Sequence, residues 1–207
     1  MFSTRRSPVI LLASAIIAIT ISVARSDDKP KPAANPDQAK MMEDMMKMAQ
    51  PGPEHDLLKK FAGEWDAACK FWNPDGSDGG ASKGIMHAKM ILGDRYLQLN
   101  YEGEMDMPNG KMPFKGMGIG GYDRGKKKYV NMWIDEMSTG MMLTEGTCDG
   151  KVLTCEGQCT EPMSGQPMKV KEVITDIDND HHKYELWMSN PDGKMMKMME
   201  IMYTRRT

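Results

Sequence analysis

Turn-forming pairs recur along the chain after Gly63, and they constrain the fold more than any other feature of the sequence. Most combine Gly with Asp or Asn, and they are Asp75-Gly76, Gly93-Asp94, Asn109-Gly110, Arg124-Gly125, Asp149-Gly150, Asn179-Asp180 and Asp192-Gly193. Such pairs favour the tight turns that join antiparallel strands. Between them the apolar residues follow a period of two rather than the 3.6 of a helix, which predicts strands.

Ten strand-like runs lie between these turns, at about residues 64–72, 82–91, 96–103, 113–123, 128–136, 140–148, 151–160, 167–178, 182–190 and 194–203. Because no helix separates them, we expect consecutive runs to pair as an antiparallel meander. An open sheet of ten strands would expose two edges, and closure removes both. The sequence therefore predicts an all-β antiparallel barrel of about ten strands, from Gly63 to Tyr203.

The first 26 residues have the pattern of a secretory signal peptide. Arg5 and Arg6 precede an uncharged run at residues 9–24, and small residues follow at 22–26. The apolar run is shorter than the roughly 20 residues that a membrane-spanning helix needs. We therefore expect export to the periplasm or the extracellular space, with no stable membrane span after cleavage of residues 1–26.

Residues 27–53 have the composition of a linker, with prolines between charged residues. Within this linker Met41, Met45 and Met48 stand at helical spacing, which predicts a short amphipathic helix over residues 37–49. A second short helix is predicted over residues 54–62, begun by Pro53 and ended by Gly63. The barrel domain is predicted to cover residues 54–207.

The charge of the chain argues against nucleic acid as a partner. Loss of the signal peptide leaves 24 of the 27 basic residues against 29 acidic ones, a net charge of −5. A mildly acidic surface does not attract a phosphate backbone. The sequence does not indicate an oligomeric state.

A glycine-rich run, Gly116-Met117-Gly118-Ile119-Gly120-Gly121, satisfies the spacing of a dinucleotide-binding loop. That loop needs a helix after it, so that phosphate meets a helix N-terminus. Here a charged turn and another strand follow. We therefore predict no cofactor, and we interpret the glycines as places where a strand bends or another group approaches closely.

Two groups of residues carry resemblances to known barrels. Gly63-Glu64-Trp65 after a short helix is similar to the opening of lipocalin-like barrels, and Arg205 stands where such barrels place a basic side chain over that Trp. More specifically, the chain resembles the bacterial domain-of-unknown-function family 1579. The resembling segments, from about Gly52 to Arg205, are Pro51-Gly52-Pro53-Glu54-His55-Asp56-Leu57-Leu58, Gly63-Glu64-Trp65, Gly93-Asp94-Arg95-Tyr96-Leu97, Gly120-Gly121-Tyr122-Asp123, Trp133-Ile134-Asp135 with Thr139-Gly140, and Met199-Glu200-Ile201-Met202-Tyr203-Thr204-Arg205. The resemblance implies a lipocalin-like barrel, often exported, with no established activity.

A barrel of this strand number has an interior that can hold one small ligand. We therefore expect a non-catalytic protein that binds a small apolar or amphipathic molecule, or that serves as an interaction module of the envelope. The residues that we expect to line its pocket are aromatic or charged, and they are Trp65, Arg95, Tyr122, Trp133 and Asp135. Alternation along the strand places Asp135 on the same face as Trp133, but it does not say whether that face is inward.

Methionine makes up 24 of the 207 residues and suggests an alternative function. Two clusters stand out, at residues 41–48 and 195–202. Thioethers are soft ligands that select Cu(I), so a copper-binding envelope protein is one interpretation. The other is that Met fills an irregular core. On a strand, alternation would send Met195 and Met199 to one face and Met196, Met198 and Met202 to the other.

An enzyme is the third alternative, and the chain offers few residues for it. His87 is the only histidine in the middle of a predicted strand, and with Asp135 it forms the only candidate catalytic pair. An inward His87 could also bind haem. No histidine or cysteine spacing indicates a zinc site, so no metal ligands are predicted.

The four cysteines are constrained by the predicted hairpin. A two-residue turn at Asp149-Gly150 would pair Cys148 with Lys151 and Cys155 with Thr144, and would place Cys148, Cys155 and Cys159 on one face. Neighbouring cysteines of this set would then lie about 13 Å apart along the strands, too far to bridge. We therefore expect at most one disulfide, with Cys69 as a partner.

Overall fold

The computed structural model describes residues 35–107, 110–161, 164–190 and 192–207. The predicted signal peptide and the first part of the linker lie outside these residues. Contacts divide the chain into two units, Met1–Lys40 and Met41–Thr207, and the barrel belongs to the second unit. No helix in the described part of the chain is long and apolar enough to span a membrane.

Ten antiparallel strands close into a barrel, as the turn pairs and the alternating runs predicted. Each strand pairs with its neighbour in the chain, and β1 pairs with β10 to close the sheet. Two helices precede the strands. The elements are α1 (Pro36–Met48), α2 (His55–Lys60), β1 (Gly63–Trp72), β2 (Asp78–Ile91), β3 (Tyr96–Met107), β4 (Gly110–Asp123), β5 (Lys128–Asp135), β6 (Met142–Asp149), β7 (Val152–Thr160), β8 (Pro167–Asp176), β9 (His181–Ser189) and β10 (Met195–Arg205).

Alternation along each strand separates the core from the outer surface. In β1, Trp65, Ala67 and Cys69 are buried, while Asp66 and Lys70 are exposed. Because successive side chains of a strand point to opposite faces, one apolar set fills the interior and the polar set meets solvent. Burial of that apolar set, at about 25 cal/mol per Å² removed from water, is the main force that holds the barrel together.

Helix α2 covers the end of the barrel at which β1 begins. His55 and Leu58 are buried there, and Phe61, just after the helix, joins the same core. The segment before the helix is held as well, because the Tyr129 hydroxyl of β5 donates a hydrogen bond to the Glu54 carbonyl at 3.0 Å. One end of the interior is therefore closed by side chains.

The predicted basic side chain over the first-strand Trp is present. The Arg205 guanidinium lies 4.0 Å from the Trp65 ring centre and donates hydrogen bonds to the carbonyls of Lys60, Ala62 and Asn179. Gly63 makes the arrangement possible, because a Cβ at that position would lie 2.5 Å from an Arg205 nitrogen. Its φ of +133° is also a conformation that side-chain-bearing residues rarely adopt.

The predicted register of the β6–β7 hairpin is wrong. Asp149 pairs with Val152, so Gly150 and Lys151 form the turn, Cys148 pairs with Leu153, and Cys155 pairs with Gly146. The reason lies in the turn: Gly150 has φ +59° and stands at the first central position, where a two-residue hairpin turn of type II′ places its glycine. The shift preserves alternation, so the cysteines of β6 and β7 still share one face.

All four cysteines are free thiols in the structure. Cys69 and Cys155 are buried, whereas Cys148 and Cys159 are partly exposed. Cys69 Sγ lies 3.4 Å from the Tyr101 hydroxyl across the interior. Burial raises the pKa of the Cys69 thiol, so this group stays protonated at neutral pH.

Candidate functional site

The inner surface of the barrel has two regions that differ in packing. The first region, which we call the packed wall, consists of the buried inward side chains of β1, β2 and β3. Among them are Trp65, Ala67, Met86 and Leu97, at 1 to 5% exposed. Inward side chains of β5 and β9 beyond the closed end, which we call the accessible wall, keep solvent-accessible surface. The accessible wall consists of Asn131, Trp133, Asp135, Tyr184, Leu186 and Met188.

A buried carboxylate lies beside the accessible wall. Glu172 of β8 is 5% exposed and accepts hydrogen bonds on both oxygens. The Tyr184 hydroxyl donates to its Oε1 at 2.9 Å, and Asn131 Nδ2 donates to its Oε2 at 3.4 Å. The Thr144 hydroxyl makes a short hydrogen bond to Oε2. Four strands therefore contribute to one polar cluster in the interior of the barrel.

The groups around Glu172 remain protonated at neutral pH. Burial, with the nearby Glu172 carboxylate, raises the pKa of the Cys155 thiol to about 12. The same two causes raise the pKa of Tyr184 well above its usual range. Cys155 Sγ lies 3.5 Å from Asn131 Nδ2. The cluster therefore presents hydrogen-bond donors and one acid, and its thiol is a poor nucleophile.

Trp133 and Asp135, two of the predicted pocket residues, lie together on the inner face of β5. Trp133 Nε1 donates a hydrogen bond to Asp135 Oδ2 at 2.9 Å. Both are partly exposed. The question that the sequence left open, which way Asp135 points, is therefore answered: it belongs to the accessible wall.

The other three predicted pocket residues lie elsewhere. Trp65 is 1% exposed within the packed wall, under Arg205. Tyr122 packs edge-on against Tyr129 near helix α2, with ring centres 5.0 Å apart. Arg95 is in the β2–β3 turn, where its Nε donates to the Ala49 carbonyl at 2.8 Å. The five residues therefore do not form one pocket.

The glycine-rich run of β4 faces Trp133. Gly118 pairs with Trp133, and a Cβ at Gly116 would collide with the Trp133 ring. A Cβ at Gly118 would lie 3.0 Å from the same ring. The predicted close approach of another group to these glycines is confirmed. Because Gly116 and Gly118 have no side chains, the Trp133 indole can lie flat against β4.

His87 does not serve the roles that the sequence offered it. Its side chain is 46% exposed on the outer face and lies 3.3 Å from Glu64, whereas Asp135 is on the inner face. The two cannot act as a catalytic pair, and His87 cannot reach a haem in the interior. His87 lies in the middle of a strand, as predicted. The sequence did not indicate which way its side chain points, and in the structure it points outward.

His182 is a buried inward histidine near the start of β9. Its ring stacks on Tyr203 with centres 4.5 Å apart and meets the Trp65 ring edge-on at 4.3 Å. Burial, and then the charge of Arg205, lower the pKa of His182 to about 4. Among the described residues its Nδ1 has no hydrogen-bond partner. His182 is therefore neutral at physiological pH and belongs to the core beneath α2.

The methionines of α1 form an exposed surface. Five of them, Met41, Met42, Met45, Met46 and Met48, are 54 to 65% exposed. The C-terminal end of the helix is held by two arginines: Arg124 donates to the carbonyls of Lys47 and Gln50, and Arg95 to that of Ala49. In the described part of the chain, no group of three or more His, Cys, Asp or Glu side chains could hold a metal ion.

Glu172, Thr144, Asn131 and Tyr184 were not predicted as site residues. A signal for Glu172 exists in the run at residues 167–178. There Met168, Val170 and Ile174 share the parity of Glu172, while the opposite parity holds Lys169 and Lys171. An acid between two apolar residues of the same row, Val170 and Ile174, can mark a candidate site. The partners of Glu172 lie on other strands, so only the closed barrel reveals them.

Solved structures with similar barrels have low sequence identity to this chain. Rv2717c from M. tuberculosis matches with a TM-score of 0.53 and 12% identity, over 76% of this chain and 100% of that chain. The redesigned β-barrel b11L5F_LGL matches with a TM-score of 0.39 and 18% identity, over 73% and 96%. The redesigned β-barrel mFAP1, bound to DFHBI, gives 0.38 and 17%, over 72% and 98%. The Rv2717c match supports the fold alone.

No match was found among curated proteins. A family described as "Protein of unknown function (DUF1579)" matches residues 50–205. This range contains α2 and all ten strands, and it agrees with the family resemblance of the sequence motifs. The chain therefore belongs to the DUF1579 family of proteins of unknown function.

Proposed function

We propose that the barrel binds a small apolar or amphipathic molecule in its interior, without catalysis. The accessible wall is the observation that supports this proposal. Protein interiors are normally packed as densely as organic crystals, yet Trp133, Tyr184 and Leu186 face inward and keep accessible surface. A ligand that covered these side chains would gain about 25 cal/mol for each Å² of apolar surface removed from water.

The chemistry of the inward polar groups favours binding over catalysis. Cys155, whose pKa is about 12, has almost no thiolate at neutral pH and would attack a substrate slowly. The Asp135 carboxylate accepts hydrogen bonds from the Trp133 indole and from the Met137 amide. These groups can orient a bound molecule. We also propose, from the pattern of residues 1–26, that binding takes place outside the cytoplasm.

The proposal is tested by filling the interior. Leu186→Trp adds a large ring to the accessible wall, and Leu143→Trp makes the same change on the outer face of β6, where Leu143 is 57% exposed. Native mass spectrometry of protein purified from its own host should show an additional bound mass on the natural protein and on the Leu143→Trp variant. The Leu186→Trp variant should lose it.

Two results would count against interior binding. One is a bound mass that survives Leu186→Trp in full, because the ligand would then lie elsewhere. The other is repeated recovery of ligand-free protein together with a crystal structure whose interior is filled by side chains. Circular dichroism should first establish that both variants retain the fold.

A second candidate function is the binding of a soft metal ion such as Cu(I) by α1. The five exposed methionines support it, because a helix brings Met41 and Met45 to one face with Met42 and Met46 beside them. Thioethers also remain ligands in an oxidising compartment, where thiols form disulfides. The strand that carries the second cluster is less suitable, since Met199 faces the core and Met202 the outside.

The metal proposal has its own matched variants. Replacing Met41, Met42, Met45 and Met46 with Leu should abolish the spectroscopic change on addition of Cu(I) under reducing conditions. Leu substitutions at Met137 and Met141, which are exposed to a similar degree, should leave that change intact. An unchanged response after the four helix substitutions would mean that α1 does not bind the metal.

A further inference from the structure

We infer that the ligand of the barrel carries a protonated amine, which lies against Glu172 and Asn131. This inference rests on the proposed function and concerns the chemistry of the same interior. In the cluster around Glu172, some hydrogen-bonding positions are filled and others remain open.

One hydrogen-bonding position of Glu172 is not filled by the donors of this cluster. A carboxylate offers about four lone-pair positions. Oε2 accepts from Thr144 and Asn131, and Oε1 accepts from Tyr184 alone. No basic side chain among the described residues forms an ion pair with Glu172. A carboxylate that is 5% exposed and has no counter-charge favours a cationic partner, because burial strengthens the attraction between opposite charges.

Asn131 adds a second acceptor beside the first. Its amide must direct Nδ2 toward Glu172, since a carboxylate only accepts. The amide oxygen Oδ1 is thereby directed over β4, 3.2 Å from where a Cβ of Gly120 would be. Asn131 is partly exposed, and no described residue donates to its Oδ1. Because Gly120 has no side chain, this oxygen remains within reach of a bound molecule.

The free hydrogen-bonding positions on Glu172 and Asn131 are therefore acceptors, and the negative charge belongs to the Glu172 carboxylate. An ammonium group has three donors and a positive charge, so it satisfies both acceptors and neutralises Glu172. Around the cluster, Trp133 and Leu186 supply apolar and aromatic surface for the body of the ligand. The chemical class that fits is a small amine with an aromatic or aliphatic body. An anion such as a fatty acid carboxylate would be repelled by Glu172.

The test uses 2-phenylethylamine and 2-phenylethanol, which have nearly the same shape and differ in the ammonium group. Isothermal titration calorimetry should show the amine binding the natural protein at least about tenfold more tightly than the alcohol, the usual value of a charge-assisted hydrogen bond. Glu172→Gln should weaken amine binding by a similar factor and leave alcohol binding unchanged. Glu156→Gln, on the exposed face of neighbouring β7, should change neither.

The outcomes separate this inference from the proposal beneath it. Equal binding of amine and alcohol, or equal amine binding by the natural protein and the Glu172→Gln variant, would overturn the inference while interior binding stood. Failure of both probes to bind the natural protein would overturn the inference too. If native mass spectrometry also found no bound molecule, the proposed function would fail with it.

Discussion

The packed wall and the accessible wall belong to one barrel, yet they are built differently. In β1, β2 and β3 the inward row is mostly apolar, and the members that form the packed wall are at most a few per cent exposed. In β5 and β9, beyond the closed end, the inward row mixes Asn131, Asp135 and Tyr184 with apolar residues, and it keeps accessible surface. We infer that the packed wall contributes mainly to stability, whereas the accessible wall is less closely packed, as binding sites commonly are.

The largest expected contrast comes from matched Leu→Ala substitutions in the two walls. Leu97→Ala should lower the free energy of unfolding by about 3.5 kcal/mol, because it leaves a cavity in a close-packed region. Leu186→Ala should cost only about 1 kcal/mol, since its side chain is already partly accessible. Urea unfolding of both variants measures the two values. Equal losses in the free energy of unfolding would mean that the two walls do not differ in packing.

The free energy of unfolding should depend on pH because of His182, which is buried at the closed end of the barrel beneath α2. Unfolded histidine takes up a proton below about pH 6.5, whereas folded His182 does so only near its pKa of about 4. The free energy of unfolding should therefore fall by about 3 kcal/mol as the pH drops from 6.5 to 4. Hydrogen bonds from Lys126 and Lys128 hold the pKa of Glu145 at about 2, so that carboxylate titrates mostly below this window.

Two Phe variants test whether His182 causes this pH dependence of stability. His182→Phe keeps an aromatic ring against Tyr203 and should remove most of this pH dependence. His87→Phe, at the exposed outer position, should retain it. Chemical denaturation at half-unit pH intervals gives the slopes, and an unchanged slope in the His182→Phe variant would contradict the assignment.

Arg205→Lys should have an intermediate effect on the packed wall. Arg205 donates to three backbone carbonyls, and a Lys ammonium lacks the planar fork that reaches all of them. We expect a loss of about 2 kcal/mol in the free energy of unfolding. The neighbouring Arg206→Lys change should stay within about 0.5 kcal/mol, because its ion pairs are exposed. Thermal unfolding compares the two variants directly.

The smallest effect is expected at the end of α1. Arg95→Ala and Arg124→Ala remove the donors that satisfy its last carbonyls, each worth about 0.5 kcal/mol to the helix. Amide hydrogen exchange at residues 45–50 should accelerate, while exchange in the barrel strands should not change. Lys89→Ala, at an exposed position of β2, is the control. Faster exchange throughout the barrel would mean that these arginines support more than the helix.

Most of the fold could be predicted from the sequence because its signals are local. Turn pairs end strands at fixed places, and alternation assigns faces without knowledge of the rest of the chain. The same local rule failed in the β6–β7 turn, where Gly150 takes the first central position and shifts the pairing. A single glycine is compatible with several turn types, so the sequence alone does not fix the register.

The candidate site was predictable only in part, because it depends on closure of the barrel. Trp133 and Asp135 were expected to share one face of a strand, and they do, because alternation along β5 sets that relation. Arg95 was expected beside them but lies at a turn, where it holds the end of α1. The cluster around Glu172 joins four strands, and contacts of that kind follow from barrel geometry rather than from spacing along the chain.

The most direct test of the two-wall account uses the indole N–H signals of the four Trp residues, of which Trp65 lies in the packed wall and Trp133 in the accessible wall. Nuclear magnetic resonance of ¹⁵N-labelled protein titrated with 2-phenylethylamine should shift the Trp133 signal and leave that of Trp65 unchanged, with assignments from single Trp→Phe variants. Trp72 and Trp187, which contact Lys197, should also remain unchanged. An unmoved Trp133 signal, or a shift confined to Trp72 and Trp187, would contradict binding at the accessible wall.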